Sequence, residues 1–263
     1  METIDFSKIS DDIKNPKMGF YVAKNFYTDE EIDAYRNECS QFLSSGKKVF
    51  ARLVCGNIPD YVHPRSVFED GSVNQGEDDA ATYRIYQYFH NSHSLETEEF
   101  FQKTLDFRNK IEGCWSLDSI YQEEMDSLMN YNIVTKYVEN NVGLPKHIDY
   151  RGISGFPFLQ SLVLLSSPKV DFLGGELVVY SADGSKYNAI EDLGLNKGDV
   201  LFFDKSLPHE VLPTAESPTK VGRWTVLVGA RAKRRGSLYE YYKYSLPVVR
   251  AKQILKNTFF NRS

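Results

Sequence analysis

Cysteine is scarce in this chain of 263 residues, and Cys39, Cys55 and Cys114 lie far apart in the sequence. A disulfide framework or a thiolate metal site requires more cysteines, at short and regular spacings. The sequence therefore supports neither kind of site.

The chain also lacks a basic block before its C-terminal region, and it lacks long apolar runs. It has 31 basic and 36 acidic residues, for a net charge of −5. Cationic surface dominates the affinity of proteins for nucleic acids, so we expect no nucleic-acid partner. No apolar run approaches the ~18 residues of a membrane span, and the N-terminal segment METIDFSKISDDIK is too polar for a signal peptide. We therefore expect a cytoplasmic protein without a membrane span, and the sequence leaves its oligomeric state open.

A helix is predicted over residues 28–46. Thr28 and Glu31 have the spacing of a capping box, apolar residues follow at helical intervals, and Gly46 ends the pattern. The preceding residues 19–26, GFYVAKNF, have the composition of a short strand.

The next part of the chain has weaker patterns. Residues 55–80 carry Gly, Pro, Asn and Asp without periodicity, which predicts a long loop containing His63. TYRIYQYF, residues 82–89, alternates as a strand does. Residues 95–129 are predicted to be helical, in two pieces broken around Gly113.

From residue 131 the sequence becomes a series of short β-branched and aromatic runs separated by Gly, Pro, Asn and Asp. The runs are YNIVTKYV, FLQSLVLLS, GGELVVYS, DVLFFD and GRWTVLVGARA. This spacing predicts a mainly β fold with flanking helices, built on an antiparallel sandwich or jelly roll. We expect one domain: N-terminal support in 1–130, the jelly-roll core in 131–232, and a C-terminal extension in 233–263 with a last helix over 238–260.

Three side chains in the β region have the chemistry of a metal site. His147 and Asp149 follow the first strand of this region, and His209 follows the strand DVLFFD. Two imidazoles and one carboxylate can occupy one face of an octahedral metal, which is the facial triad of non-haem Fe(II) oxygenases. Zinc suits this set less well, because thiolates are absent and because an oxygenase metal needs more than four coordination positions.

Arg223 and Thr225 lie further on, in the strand GRWTV. Side chains two residues apart on a strand point to the same side, so both can face the interior. A buried arginine is costly without an anion, and a guanidinium binds a carboxylate through two hydrogen bonds. No acidic partner is evident on this strand, so the carboxylate of a ligand is the expected partner.

The order of these elements resembles a known family, the iron(II)- and 2-oxoglutarate-dependent oxygenases, and in particular their prolyl-hydroxylase-like branch. The resemblance covers 131–232 closely and 19–46 loosely. It depends on Tyr137, His147-x-Asp149, the GGEL turn at 174–177, GDVLFFD at 198–204, His209 and Arg223-x-Thr225.

The resemblance implies a double-stranded β-helix (a cupin-like jelly roll) in which His147, Asp149 and His209 hold Fe(II). It also implies a hydroxylase that consumes 2-oxoglutarate and O2 and releases succinate and CO2, with ascorbate as a candidate reductant. Because a carboxylate stands at position 149, where halogenating relatives carry a small residue, hydroxylation is the expected reaction.

The same resemblance assigns the co-substrate pocket. The far carboxylate of 2-oxoglutarate would bind Arg223 and Thr225, and Tyr137 matches a tyrosine that often bonds this carboxylate. Tyr137 could equally be a packed strand aromatic. Gly174 and Gly175 are expected to serve a turn and to have no chemistry of their own.

The substrate is the open question. Arg84 and Tyr86 share one face of the strand 82–89, and Arg151 directly follows the metal-binding loop. These residues would suit a small polar substrate that bears a carboxylate or phosphate, such as an amino acid, a sugar acid or a nucleotide. A peptidyl or protein hydroxylase is the alternative, and a non-catalytic cupin-like module that only binds a metal or ligand is a further one.

Overall fold

The computed structural model describes residues 4–49, 59–67, 73–74, 82–89, 91–113, 128–137, 142–149, 159–215, 218–219 and 221–233. The predicted C-terminal helix over 238–260 lies outside these residues. So does most of the second predicted helical piece, after Gly113.

Three helices occur among the described residues: α1 (Phe6–Lys14), α2 (Asp29–Ser45) and α3 (Leu95–Glu112). The capping box predicted for α2 is confirmed, because the Glu31 amide donates to the Thr28 hydroxyl and the Thr28 amide donates to the Glu31 carboxylate. α3 ends at Gly113, whose φ of 69° is left-handed. The sequence analysis did not predict α1, which buries Ile9 and Ile13. None of these described helices has both the length and the apolar character needed to cross a membrane.

The remaining elements are strands. They are β1 (Phe20–Ala23), β2 (Tyr61–Val67), β3 (Val73–Asn74), β4 (Thr82–Tyr88), β5 (Leu128–Tyr137), β6 (Leu144–His147), β7 (Leu159–Leu164), β8 (Leu173–Gly174), β9 (Leu177–Tyr180), β10 (Lys186–Asn188), β11 (Val200–Asp204), β12 (His209–Val211), β13 (Thr214–Ala215) and β14 (Arg223–Lys233). An eight-stranded sheet has the order β1-β11-β7-β14-β5-β4-β2-β3, and a four-stranded sheet has the order β10-β9-β12-β6. β13 and β8 form a separate pair.

The two faces of the eight-stranded sheet bury different partners. Val163 and Phe202 point to one face, where they join Ile32 and Phe100 of the helices in a common apolar cluster. Their neighbours along the strands point to the other face and pack with Leu177, Val179 and Val211 of the four-stranded sheet. Two sheets therefore enclose one core with helices outside it, which confirms the expected mainly β jelly roll.

The region 55–80 differs from the prediction. It was expected to be a loop, but it contains β2 and β3, and His63 lies buried in β2. Pro64 obscures this strand in the sequence, because proline lacks the amide hydrogen that a ladder requires. The strand forms because β4 pairs with it over five residues, including Pro64 with Tyr83.

The predicted helical stretch 95–129 is correct only in its first part. α3 matches the first piece, but Leu128 and Met129 belong to β5. These two residues pair with Lys233 and Ala232 of β14, so a long-range ladder overrides the local helical pattern.

Candidate active site

Two histidines face each other across neighbouring strands of the four-stranded sheet. His147 ends β6, His209 begins β12, and the two residues are direct cross-strand partners. Their ring centroids are 4.3 Å apart. His209 is only 5% exposed, whereas His147 is half-buried, so the pair is open to solvent on the His147 side.

Both imidazoles make the same hydrogen bond to the backbone two residues earlier. Nδ1 of His147 lies 2.8 Å from the Pro145 carbonyl oxygen, and Nδ1 of His209 lies 3.0 Å from the Leu207 carbonyl oxygen. Because a carbonyl oxygen only accepts, Nδ1 carries the hydrogen in each neutral ring. Nε2 therefore keeps its lone pair in both residues and can bind a metal.

Asp149 completes a cluster of three ligand atoms. Its Oδ2 lies 3.5 Å from Nε2 of His209, and its Oδ1 lies 3.8 Å from Nε2 of His147. The ligand atoms of the three residues all lie within 4.8 Å of one another. Two neutral nitrogens and one carboxylate at this spacing fit a divalent iron ion held from one side.

Electrostatics keep His147 and Asp149 in the states that bind a cation. Burial, followed by the charge of His209, lowers the pKa of His147 below its ordinary value. Burial alone would raise the pKa of Asp149, but the neighbouring His209 and His147 and the hydrogen bond from Gln160 outweigh it and leave that pKa lowered. At neutral pH the His147 ring is therefore neutral and the Asp149 carboxylate is ionised.

Arg223 is a buried cation at the start of β14. The residue is only 3% exposed, and its guanidinium carbon lies 5.0 Å from the centroid of the Tyr137 ring. Among the described residues no carboxylate forms a salt bridge with it, and its Nε has no hydrogen-bond partner there. Burial lowers the pKa of Arg223, as expected for a charge removed from water. A ligand anion would supply the missing partner.

Tyr137 and Thr225 adjoin this cation. Tyr137 is the cross-strand partner of Arg223 and belongs to the core between the two sheets. Thr225 lies two residues beyond Arg223 on the same face and is also buried. The three predicted co-substrate residues are thus neighbours on one patch of the eight-stranded sheet.

Gly175 has a role beyond the turn that was expected for it. A Cβ on Gly175 would lie 2.9 Å from Cδ of Arg223 and 2.9 Å from Cγ2 of Thr214. Such contacts are too short for real side chains, so only glycine lets the backbone approach the arginine this closely. Its φ of 69° is also left-handed.

The residues predicted for the substrate are only partly described. Arg84 is half-buried on β4, its Nε has no hydrogen-bond partner among the described residues, and its charge contributes to the lowered pKa of His147. Tyr86 is 2% exposed and stacks on Tyr61 with ring centroids 4.9 Å apart. Arg151 lies outside the described residues.

Gln160 is a site residue that the sequence analysis missed. It lies on β7, and its Nε2 donates a hydrogen bond to Oδ2 of Asp149. The available signal was weak, because a single amide in the apolar run FLQSLVLLS has no pattern that separates it from an ordinary polar strand residue.

We expect Gly175→Ala to weaken binding of 2-oxoglutarate, the co-substrate implied by the resemblance, because the new Cβ would push Arg223 out of place. Gly184→Ala is the matched control, since Gly184 also has a positive φ but nothing lies within 4 Å of its ideal Cβ. Both changes should cost about 1–2 kcal/mol of unfolding free energy through backbone strain. Calorimetric titration should show weaker co-substrate binding only for Gly175→Ala, and equal affinities in the two variants would contradict the assigned contact.

Residues 133–228 match the family model of the 2OG-Fe(II) oxygenase superfamily. This segment contains all three clustered ligands and both Arg223 and Thr225. No curated protein matches the sequence.

Solved structures with the same fold include a Pseudomonas putida prolyl-4-hydroxylase, with a TM-score of 0.52, 16% identity, and coverage of 88% of this chain and 100% of that one. An oxidoreductase of the 2OG-Fe(II) oxygenase family from Burkholderia pseudomallei has a TM-score of 0.50 and 11% identity, covering 90% and 94%. The carbocyclase SnoK of nogalamycin biosynthesis, described as non-haem and alpha-ketoglutarate-dependent, has a TM-score of 0.52 and 12% identity, covering 90% and 89%. At these identities the structures support the fold alone. The segment 133–228 thus matches the 2OG-Fe(II) oxygenase superfamily, and the chain has the fold of solved structures that include a prolyl-4-hydroxylase.

Proposed function

We propose that this protein is an Fe(II)- and 2-oxoglutarate-dependent dioxygenase that hydroxylates an unactivated C–H bond of a small polar, anionic substrate, with release of succinate and CO2. The observation that carries the proposal is the combination of two sites. Three ligand atoms lie within 4.8 Å of one another, and the same fold buries a guanidinium without a carboxylate partner among the described residues. The first suits a divalent metal and the second suits a dicarboxylate.

In this proposal, His147, Asp149 and His209 hold Fe(II) from one side. Fe(II) with 2-oxoglutarate and O2 supplies an oxidant strong enough for a C–H bond. The protein's contribution is geometric, because three ligands on one side leave the remaining positions for the co-substrate and O2. The Nδ1 hydrogen bonds of both histidines fix the ring orientations that aim Nε2 at the metal.

Arg223 binds the far carboxylate of 2-oxoglutarate, with Thr225 and Tyr137 as hydroxyl donors. A guanidinium in a dry pocket is already desolvated, so pairing it with a carboxylate recovers energy that folding has cost. Arg223 is 3% exposed, and the apolar core that contains Tyr137 limits the access of water to it.

Arg84 is the residue that we assign to the anionic group of the substrate. Cross-strand pairing places it beside Thr135, and Thr135 lies beside Thr225. Neighbouring strands are about 4.8 Å apart, so the backbones of Arg84 and Thr225 are separated by about 10 Å across the sheet. The chain thus has two cations on one inner face, of which Arg223 serves the co-substrate and Arg84 remains for a second anion.

Tyr86 and Arg151 are the other two residues of the substrate hypothesis. Tyr86 belongs to a buried aromatic cluster with Tyr61, Tyr88 and Tyr131, so it would shape the wall behind Arg84 more than touch a ligand directly. Arg151 follows the ligand loop by two residues, and its role stays a prediction. The cytoplasmic location, the absence of a nucleic-acid partner and the extent of the single domain also stay predictions.

The alternative substrate is a peptide or protein, as for the prolyl hydroxylases with the same fold. A screen of anionic metabolites and proline-containing peptides, scored by succinate formation from 2-oxoglutarate, separates these two classes. A non-catalytic binding module is the third candidate, and it would produce no succinate above a metal-free control when supplied with Fe(II), ascorbate and 2-oxoglutarate.

For the metal, we expect His147→Ala and His209→Ala each to abolish stoichiometric Fe(II) binding while the circular dichroism spectrum remains that of a folded β protein. Ile148→Ala is the matched control, because Ile148 lies between two proposed ligands but is 54% exposed and offers no ligand atom. Binding is measured under anaerobic conditions by equilibrium dialysis. Retention of near wild-type Fe(II) affinity in either histidine variant would refute the ligand assignment.

For the co-substrate, Arg223→Ala should weaken 2-oxoglutarate binding by about 30-fold or more, which corresponds to losing ~2–5 kcal/mol from a buried charged pair. Arg223→Lys should recover part of the loss, because it keeps the charge without the fork geometry. Thr225→Ala should cost about 0.5–2 kcal/mol, since it removes one hydrogen bond to a charged group. Fe(II) affinity should not change.

The measurement is an anaerobic titration of the Fe(II) protein followed by its metal-to-ligand charge-transfer absorbance. Lys136→Met is the control, because Lys136 is the cross-strand partner of Trp224 and its ammonium lies over the Trp224 ring, on the helix side of the sheet. If Lys136→Met weakened binding as much as Arg223→Ala, the effect would reflect net charge and not a contact.

For the substrate, Arg84→Met should raise the KM for an anionic substrate found in the screen by about 30-fold or more, by the same loss of a charged pair. It should leave 2-oxoglutarate affinity and substrate-independent succinate formation near wild-type levels. An unchanged KM in steady-state kinetics would remove Arg84 from the substrate site without affecting the assignment of the metal ligands.

A further inference from the structure

The carboxylate ligand lies where the backbone gives it little support. β6 is at the edge of the four-stranded sheet, and Asp149 lies two residues beyond its end. Its polar side-chain neighbours among the described residues are the two histidines and Gln160. The histidines would themselves bind the metal, so Gln160 is the neighbour that can hold Asp149 before a metal arrives.

Gln160 lies on a much more rigid element. β7 pairs with β11 on one side and with β14 on the other, and Gln160 is the cross-strand partner of Phe203. Its side chain crosses from the eight-stranded sheet to a residue that follows the four-stranded sheet. Gln160 therefore links Asp149, which follows an edge strand, to a central strand of the eight-stranded sheet.

The orientation of the amide follows from the chemistry of its partner. An ionised carboxylate has no hydrogen to donate, so the Gln160 group beside Asp149 must be Nε2, which agrees with the hydrogen bond to Oδ2. Oε1 then points away from the carboxylate, and it is buried without a hydrogen-bond partner among the described residues. The amide is oriented for Asp149 and for no other described group.

We propose that Gln160 is a positioning residue for the metal ligand Asp149. The Gln160 side-chain N–H donates a hydrogen bond to Oδ2 of Asp149. The carboxylate therefore binds the metal through its other oxygen only. A carboxylate that used both oxygens would occupy a second coordination position, which the co-substrate or O2 requires. This inference depends on the proposed Fe(II) site, and it adds a residue that acts through Asp149 without touching the metal.

The test measures metal binding without turnover. Co(II) is the probe, because it binds nitrogen and oxygen sites like those of Fe(II), is stable in air, and has visible absorption whose intensity reports coordination number. Gln160→Leu removes the donor, and we expect Co(II) to bind about 10–100-fold more weakly, the usual effect of removing a group that orients a ligand. The visible spectrum should also change as Asp149 becomes free to use both oxygens.

Two further variants make the result specific. Gln160→Met has a similar length but no donor, and it should weaken Co(II) binding about as much as Gln160→Leu. Ser161→Ala is the control on the next residue of β7, where the side chain points to the opposite face and Oγ has no partner among the described residues. Its Co(II) affinity and spectrum should remain those of the wild type, and thermal unfolding of each variant verifies that it is folded.

Wild-type Co(II) affinity and spectrum in Gln160→Leu, or wild-type affinity in Gln160→Met, would overturn the role of Gln160. Failure of the proposed metal site would look different, because the wild-type protein would then bind no Co(II), or would bind it equally well after His209→Ala. The two hypotheses can therefore fail independently.

Discussion

The site depends on the side-chain alternation of strands that are covered on both faces. On β14, Arg223 and Thr225 face the interior of the jelly roll, while Trp224 and Val226 pack with the helices. A slip of one residue in the ladder with β5 would place Trp224 in the pocket and bury Arg223 among helix side chains. The apolar cluster on the helix side thus fixes the register that positions the arginine. Packing far from the reaction therefore determines the chemistry of the pocket.

Arg223 is a buried charge that has no carboxylate partner among the described residues. Arg223 is 3% exposed, and burial lowers its pKa, so the folded protein bears a desolvation cost that a protein carboxylate would normally offset. Glu176 contributes attraction without forming a salt bridge with it. Binding of a dianion removes the cost, so the co-substrate should be coupled to the stability of the fold as any ligand of the native state is. Because Gly175 has no side chain, Arg223 has room to lie against the backbone there.

The sequence predicted those features that depend on local chemistry or on fixed spacing. The capping box of α2 needs only Thr28 and Glu31, and it is present as expected. The three proposed ligands were predicted from their order and spacing along the chain, together with Arg223-x-Thr225, and no single one of them would have been specific. β2 was missed because Pro64 argues against a strand locally, and only its pairing with β4 stabilises it. Gln160 was missed because its importance comes from a contact across the two sheets, which no local pattern encodes.

The architecture also separates the general part of the reaction from the specific part. The proposed iron and 2-oxoglutarate residues come from strands inside the segment that matches the family, whereas Arg84 comes from β4, outside it. β4 and β2 extend the same sheet beyond β5, so they can change without disturbing the ladder between β14 and β7. Substrate choice in this protein would then reside in the added strands, next to a reaction centre that the family shares. The buried tyrosines of β2, β4 and β5 pack together and attach β2 and β4 to the rest of the sheet. Arg84 lies on β4, and its charge contributes to the lowered pKa of His147.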